Sequence, residues 1–386
     1  MKHNLKRALA LLLALTLIFA VTACSKQSTH TQPMGESTAD AANNGQNGTP
    51  SETEAPTDAL MPLTISHQAS IHSLPSYIAD KEGVFEKNGL DVNILYFTSG
   101  PPQTEALGAD EWDVGCIGSP PTIAANLAYN MKIIGVSVED TVALSFWCRN
   151  NSDIAQYGDP DGDGIVGNAD TWHGKTILCP LVTSWHFVLI ATLNKLGLTE
   201  DDVNIIDMDA SQAYTAMQAG QGDICALGFP NYILAENEDW TCCATGASGG
   251  ESMPTVLVAS EKAIAEKPEA ILAWLHSYYE ICDKYVDDND KLTEYFLEMQ
   301  LDQGSDVDAS QAAIQVGKHT LPTLEYAWSL FKGTPGEREI DHVIYNIVDF
   351  YIAQGRYESG DKDTLIKNGF VDGQFMEALA AEAGLK

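Results

Sequence analysis

From Leu63 onward, short apolar runs alternate with stretches in which apolar side chains recur every three or four residues, the pattern of strands separated by helices. Strands are expected at 63–66, 91–97, 112–117 and 132–138, with helices at 74–87, 102–108 and 122–130. A second series starts at Lys175, with strands at 175–179, 203–206, 223–227 and 240–244 and helices at 184–196, 210–219 and 232–236. Two α/β units therefore follow one another. After a further strand at 255–259 the pattern turns helical to the end. In 269–286, Ile271, Trp274, Leu275, Tyr278, Cys282 and Tyr285 form one apolar helix face. Such helices need a sheet to cover, so strand 255–259 is expected to return the chain to the first unit. Lobe 1 is then 62–144 plus 252–386, and lobe 2 is 145–251. Two segments cross between them, and the cleft so formed is where a small ligand binds.

Composition narrows the classes of function. A chain of 386 residues, 45% hydrophobic, is long enough for two packed domains. Asp and Glu number 54 against 21 Lys and Arg, a formal charge of −33 that repels phosphate and excludes a nucleic-acid partner. Residues 1–24 read as a signal peptide: Lys2, Lys6 and Arg7, an apolar run at 8–21 too short for a comfortable membrane span, then Val21-Thr22-Ala23-Cys24. The stretch 25–61 has no aromatic residue and is rich in Ser, Thr, Asn, Gly, Pro and Glu, which makes it a disordered tether. Beyond Cys24 lie Cys116, Cys148, Cys179, Cys225, Cys242, Cys243 and Cys282, with no CxxC pair to suggest zinc. Cys116, Cys179 and Cys225 read as core residues, and Cys242 and Cys243 as reduced and partly buried.

In open α/β sheets a ligand lies beyond the carboxyl ends of the strands, where loops open into helix N-termini with free backbone N–H groups. Three loops fit: 99–103 with Ser99 and Gly100, 118–122 with Ser119 and Pro120, and 183–187 with Thr183, Ser184, Trp185 and His186. Their Ser and Thr hydroxyls serve either as helix caps or as ligand contacts. Phe229 and Tyr232 offer stacking surfaces, or else belong to the core, and Gln68 and His72 follow the first strand. None of the three loops carries Arg or Lys, so a bidentate clamp for an anion is missing from them. Asp207 and Asp209 make an acidic loop able to receive an ammonium, with Asp209 equally suited to capping the next helix.

The segment 159–170, DPDGDGIVGNAD, places oxygen donors where a twelve-residue calcium loop has them. Asp159, Asp161, Asp163, the Ile165 carbonyl and Asp170 would surround a structural Ca2+, with Gly164 at the sharp turn. The loop resembles that of dockerins, which come with two such loops where this chain has one.

Several longer phrases carry a family resemblance in their order and spacing: YIADKEGVFEKNGLD at 77–91 followed by TSGP at 98–101, WDVGCIGSPPTIAAN at 112–126, HGKTILCP at 173–180, LNKLGLTEDDVNIIDMDASQAYTAMQAGQGDICAL at 193–227, and GFPNY at 228–232. Together they resemble the substrate-binding lipoproteins of nitrate, sulfonate, taurine and thiamine-pyrimidine-precursor ABC importers. The resemblance implies a type II periplasmic-binding-protein fold, two α/β lobes joined by two crossovers that close on a small solute. It implies an ABC permease as partner, no catalytic residues and a monomer, while Val21-Thr22-Ala23-Cys24 resembles the lipobox of bacterial lipoproteins, which implies anchoring through lipidated Cys24 at the extracytoplasmic face of the cell membrane. Two rival readings are an enzyme of the same fold, of the thiamine-pyrimidine type, and a calcium-dependent surface adhesion module.

Overall fold

In this computed structural model the described residues are 59–250 and 252–386. The signal segment, Cys24 and the tether as far as residue 58 lie outside them. Ten strands occur in chain order: β1 (Met61–Gln68), β2 (Leu90–Phe97), β3 (Val114–Gly118), β4 (Lys132–Glu139), β5 (Ser145–Arg149), β6 (Thr176–Cys179), β7 (Asn204–Asp207), β8 (Ile224–Leu227), β9 (Trp240–Thr245) and β10 (Pro254–Ala259). They form two five-stranded sheets, ordered β2-β1-β3-β10-β4 and β7-β6-β8-β5-β9. Both sheets belong to a single compact unit, Thr57–Lys386.

The first sheet owes its shape to β10. Its sequence, PTVLVA, has no polar alternation, and all six residues are buried, as befits a strand covered on both faces. It enters antiparallel between β3 and β4, so Val256 faces Ile117 on one side and Val136 on the other. In the second sheet β6 pairs parallel with β7 and β8, while β5 runs antiparallel between β8 and β9. The chain passes from the first sheet to the second through 140–144 and returns after Thr245.

Helix Pro268–Tyr285 lies against the first sheet with the apolar face the spacing predicted: Ile271, Trp274, Leu275, Tyr278 and Cys282 are all buried. Burying each large side chain contributes about 1.5–3 kcal/mol. The two tyrosine hydroxyls are satisfied inside that interface. Tyr279 donates to the Val136 carbonyl at 2.8 Å, and Tyr278 donates to the His72 carbonyl at 2.8 Å. The C-terminal helices close on themselves around a buried ion pair, in which Arg338 Nε and Nη2 reach Asp341 at 2.7 and 2.9 Å and Nη2 also reaches the Val371 carbonyl.

Three details depart from the expected elements. Met61 already belongs to β1, paired with Leu90, so the tether stops short of it. The single helix expected over 74–87 is two, Leu74–Lys81 and Val84–Lys87, because the chain turns at Gly83 with φ 68°, a left-handed backbone that suits glycine. β5 was not foreseen, because SFWCR is short and has no clear period, yet Phe146 and Cys148 are wholly buried in the interior of the second sheet, between β8 and β9.

Candidate functional site

A cavity of about 580 Å³ lies between the two sheets, at the ends of strands from both. The first sheet and its loops contribute Gln68, His72, Tyr96, Ser99 and Gly100, and the second contributes Thr183, Ser184, Trp185, Asp209 and Phe229. Asp140, in the first crossing segment, lines it as well.

The helix starts around the cavity are built differently. Thr183 caps helix Ser184–Lys195: its hydroxyl accepts from the His186 amide and donates to the Pro180 carbonyl at 2.7 Å. Ser99 precedes helix Gly100–Gly108 in extended backbone without a side-chain cap bond, which leaves its hydroxyl free for a guest. Asp209 caps the next helix, as foreseen, and stands in the cavity lining. Its Oδ1 accepts from the Ser211 amide at 2.9 Å as a cap, while the side chain also faces the cavity. On the opposite wall Gln68 is oriented by Gln103, whose Nε2 in turn holds the Ser66 and Cys116 carbonyls.

Four of the expected ligand contacts lie elsewhere, each for a visible reason. The Ser119 hydroxyl is buried and donates to the Pro254 carbonyl, tying helix Ser119–Tyr129 to β10. Pro120 does not line the cavity, and its neighbour Pro121 does. His186 is 1% exposed: its Nδ1 accepts from the Val182 amide at 3.3 Å, so Nε2 donates to Glu200 at 2.8 Å. That bond, helped by Arg356, holds the Glu200 carboxyl below its ordinary range. Tyr232 is buried with its hydroxyl donating to Gln315 Oε1 at 2.7 Å, which joins the second half of the molecule to helix Ala309–Gly317.

The C-terminal helices supply wall residues that had not been foreseen: Phe296, Gln300 and Gln315 line the cavity, and Phe296 meets Phe229 edge-on with ring centroids 5.2 Å apart. Polar groups without partners lie on β1 and β2 and in the loop after β1, with His72 and Tyr96 in the cavity lining. Both ring nitrogens of buried His67 and His72, and the Tyr96 hydroxyl, have no hydrogen-bond partner. Burial pushes His67 well below the usual histidine range. Burial likewise pushes His72 down to about 4, opposed by Asp140 and reinforced by His319. His319 goes the other way: burial works against its charge, but the 3.0 Å bond to Asp140 lifts it above the usual range.

No cysteine lines the cavity. Burial pushes the thiols of Cys116, Cys179, Cys225, Cys243 and Cys282 far up, and that of Cys242 up to about 11, so none of these is poised as a nucleophile. Cys242 and Cys243 are both free thiols, the first half-buried and the second fully buried.

The 159–170 loop lies apart from the cavity lining. The Asp159 carboxylate accepts from the amides of Gly162 and Gly164 at 2.8 and 3.0 Å, and Asp163 Oδ1 accepts from Ile165 at 2.9 Å. The Val166 amide pins the loop to the Cys243 carbonyl of β9. Among the described residues no three His, Cys, Asp or Glu side chains gather around a metal-sized point, Asp161 and Asp170 included.

Two mixed sheets, joined twice and holding a cavity between them, define the class: this is the periplasmic-binding-protein fold. Residues 70–280 match the NMT1/THI5-like family, and the chain belongs to it. A protein of Brachyspira hyodysenteriae named an ABC transporter periplasmic binding protein is 26% identical over 257 residues, 66% of this chain and 74% of that relative. The aliphatic sulfonates-binding protein of Bacillus subtilis is 29% identical over 180 residues, 45% of this chain and 50% of its own length. Among solved structures, the alkanesulfonate-binding protein SsuA from Xanthomonas axonopodis pv. citri, bound to MOPS, superposes with a TM-score of 0.62 at 17% identity, covering 77% of this chain and 94% of that one.

The histidines make stability depend on pH in a definite direction. Because His67 and His72 titrate lower in the folded chain than in the unfolded one, the unfolded chain takes up protons first as pH falls. Their contribution is complete above about 6.5 and declines as pH falls below it; that of His72 is lost towards about 4 and amounts to about 3 kcal/mol. Urea unfolding across that window is expected to show falling stability, with a shallower fall in His72→Gln. Identical slopes for the two proteins would contradict a buried neutral imidazole.

Proposed function

We propose that this protein is the extracytoplasmic solute receptor of an ABC importer, which takes a small organic solute between its two sheets and presents the closed form to a membrane permease. The observation that carries this reading is the cavity itself, lined from both sheets at the mouths of their helices and bridged by the C-terminal segment. The relatives named for sulfonates and taurine support a solute of similar size. A receptor needs no reacting group. The cavity has no thiol, and the neutral His72 ring has neither a hydroxyl to activate nor a carboxylate bonded to orient it. No helix among the described residues is long and apolar enough to cross a membrane, and attachment through lipidated Cys24 completes the reading, with a monomer at the outer face of the cell membrane. The donor spacing of 159–170 supports a calcium ion held outside the cavity for stability.

A thermal-shift screen across sulfonates, taurine, nitrate, pyrimidines and aromatic acids tests the receptor reading. A true ligand at about a hundred times its Kd stabilises by about 2.7 kcal/mol, a rise of several degrees in Tm. A flat response over the whole library would refute it. For the calcium loop, chelator is expected to lower the Tm of the wild type and to leave Asp163→Ala unaffected, whereas an unchanged wild-type melt disposes of the ion.

A further inference from the structure

The cavity has an unusual charge balance. Its charged lining residues are Asp140, Asp209 and Asp306, with no Lys or Arg among them. His72 adds no positive charge, because burial keeps its ring neutral above about 4. Asp140 is balanced from behind by His319, so the lining offers carboxylates and no cation of its own, and a purely anionic guest would leave water without a side-chain counter-charge, which is costly.

Asp140 and His72 both line the cavity, and the carboxylate opposes the loss of charge on the imidazole. Asp140 spends Oδ1 on His319 Nε2 at 3.0 Å, and among the described residues its Oδ2 accepts no hydrogen bond. The His72 ring is 3% exposed, lines the cavity and has both nitrogens unpartnered. Leaving such a group unsatisfied is destabilising, a cost that a ligand removes. The backbone that carries the ring is held from behind, since the His72 carbonyl accepts from Tyr278 at 2.8 Å and from Ser137 at 3.4 Å. A carboxylate oxygen and an imidazole nitrogen, both free to accept, complement a group with several N–H donors.

We propose that the solute carries an amine, and that Asp140 with the imidazole of His72 forms the end of the cavity that binds it. This rests on the receptor reading and adds to it the chemical class of the guest. The remainder of the solute lies along Trp185, Phe229 and Phe296, and any acidic group it bears is turned towards the helix starts at Ser99 and Ser184.

Isothermal titration of the full chain with two matched pairs tests the assignment: taurine against ethanesulfonate, and benzylamine against benzyl alcohol. The amine of a pair is expected to bind about tenfold or more tightly than its amine-free partner, as a hydrogen bond to a charged group requires. Asp140→Asn, which retains an acceptor for His319, is expected to bring that ratio towards one, and His72→Gln to reduce it. Melting curves identify a variant that fails to fold, and the other then decides. Equal binding within both pairs, a ratio unchanged in the variants, or no binding by any of the four probes at millimolar concentration overturns the proposal. A stabilising ligand without an amine in the thermal-shift screen sinks this inference and leaves the receptor reading standing, whereas a flat screen sinks both.

Discussion

The return of β10 is the constraint on which the rest of the molecule depends. By entering antiparallel between β3 and β4, it makes the first sheet wait for a segment that comes after the whole second sheet has been built. The second sheet is thereby attached at two points and not one, and the ends of both sheets face a common space. Contacts with high sequence separation secure this arrangement, among them Ser119 to Pro254 and Tyr232 to Gln315. They close long loops, so the native contacts must offset that entropy before any site exists.

Within that frame, polar satisfaction separates structural groups from groups left for a guest. Ser119, His186 and Tyr232 have the residue types of ligand contacts, yet each is buried against a specific partner and holds the fold. Ser99, His72 and Tyr96 face the cavity with hydrogen-bonding capacity unspent. A buried polar group without a partner is destabilising, so a protein retains one where something else completes it. The periplasmic-binding-protein fold suits this use, because closing on a solute is what supplies the missing partners.

Much of this was legible in the sequence, and the limits have physical causes. The loops at 99–103 and 183–187 could be read because a strand followed by a capped helix has a local signature, and Ser99, Gly100, Thr183, Ser184 and Trp185 do line the cavity. In the loop at 118–122, Gly118 and Pro121 line the cavity in place of the Ser119 and Pro120 singled out, because Ser119 serves β10. β5 escaped notice because five residues show no period. Phe296, Gln300 and Gln315 escaped because a helix reveals which face is apolar but not which distant loop it will meet. Asp140 follows a strand in a segment that reads as a mere connection, and only its meeting with His319, far along the chain, marks it. The 159–170 spacing was plain to see, yet Asp159 and Asp163 spend oxygens on loop amides, a use that spacing cannot distinguish from metal ligation.

Amide hydrogen exchange with and without a bound solute tests most directly whether two separately built halves grip one guest. If they do, exchange slows together at 99–103, at 183–187 and at 228–231, three segments contributed by both sheets. Slowing confined to one half, with the facing loops unchanged, would contradict it.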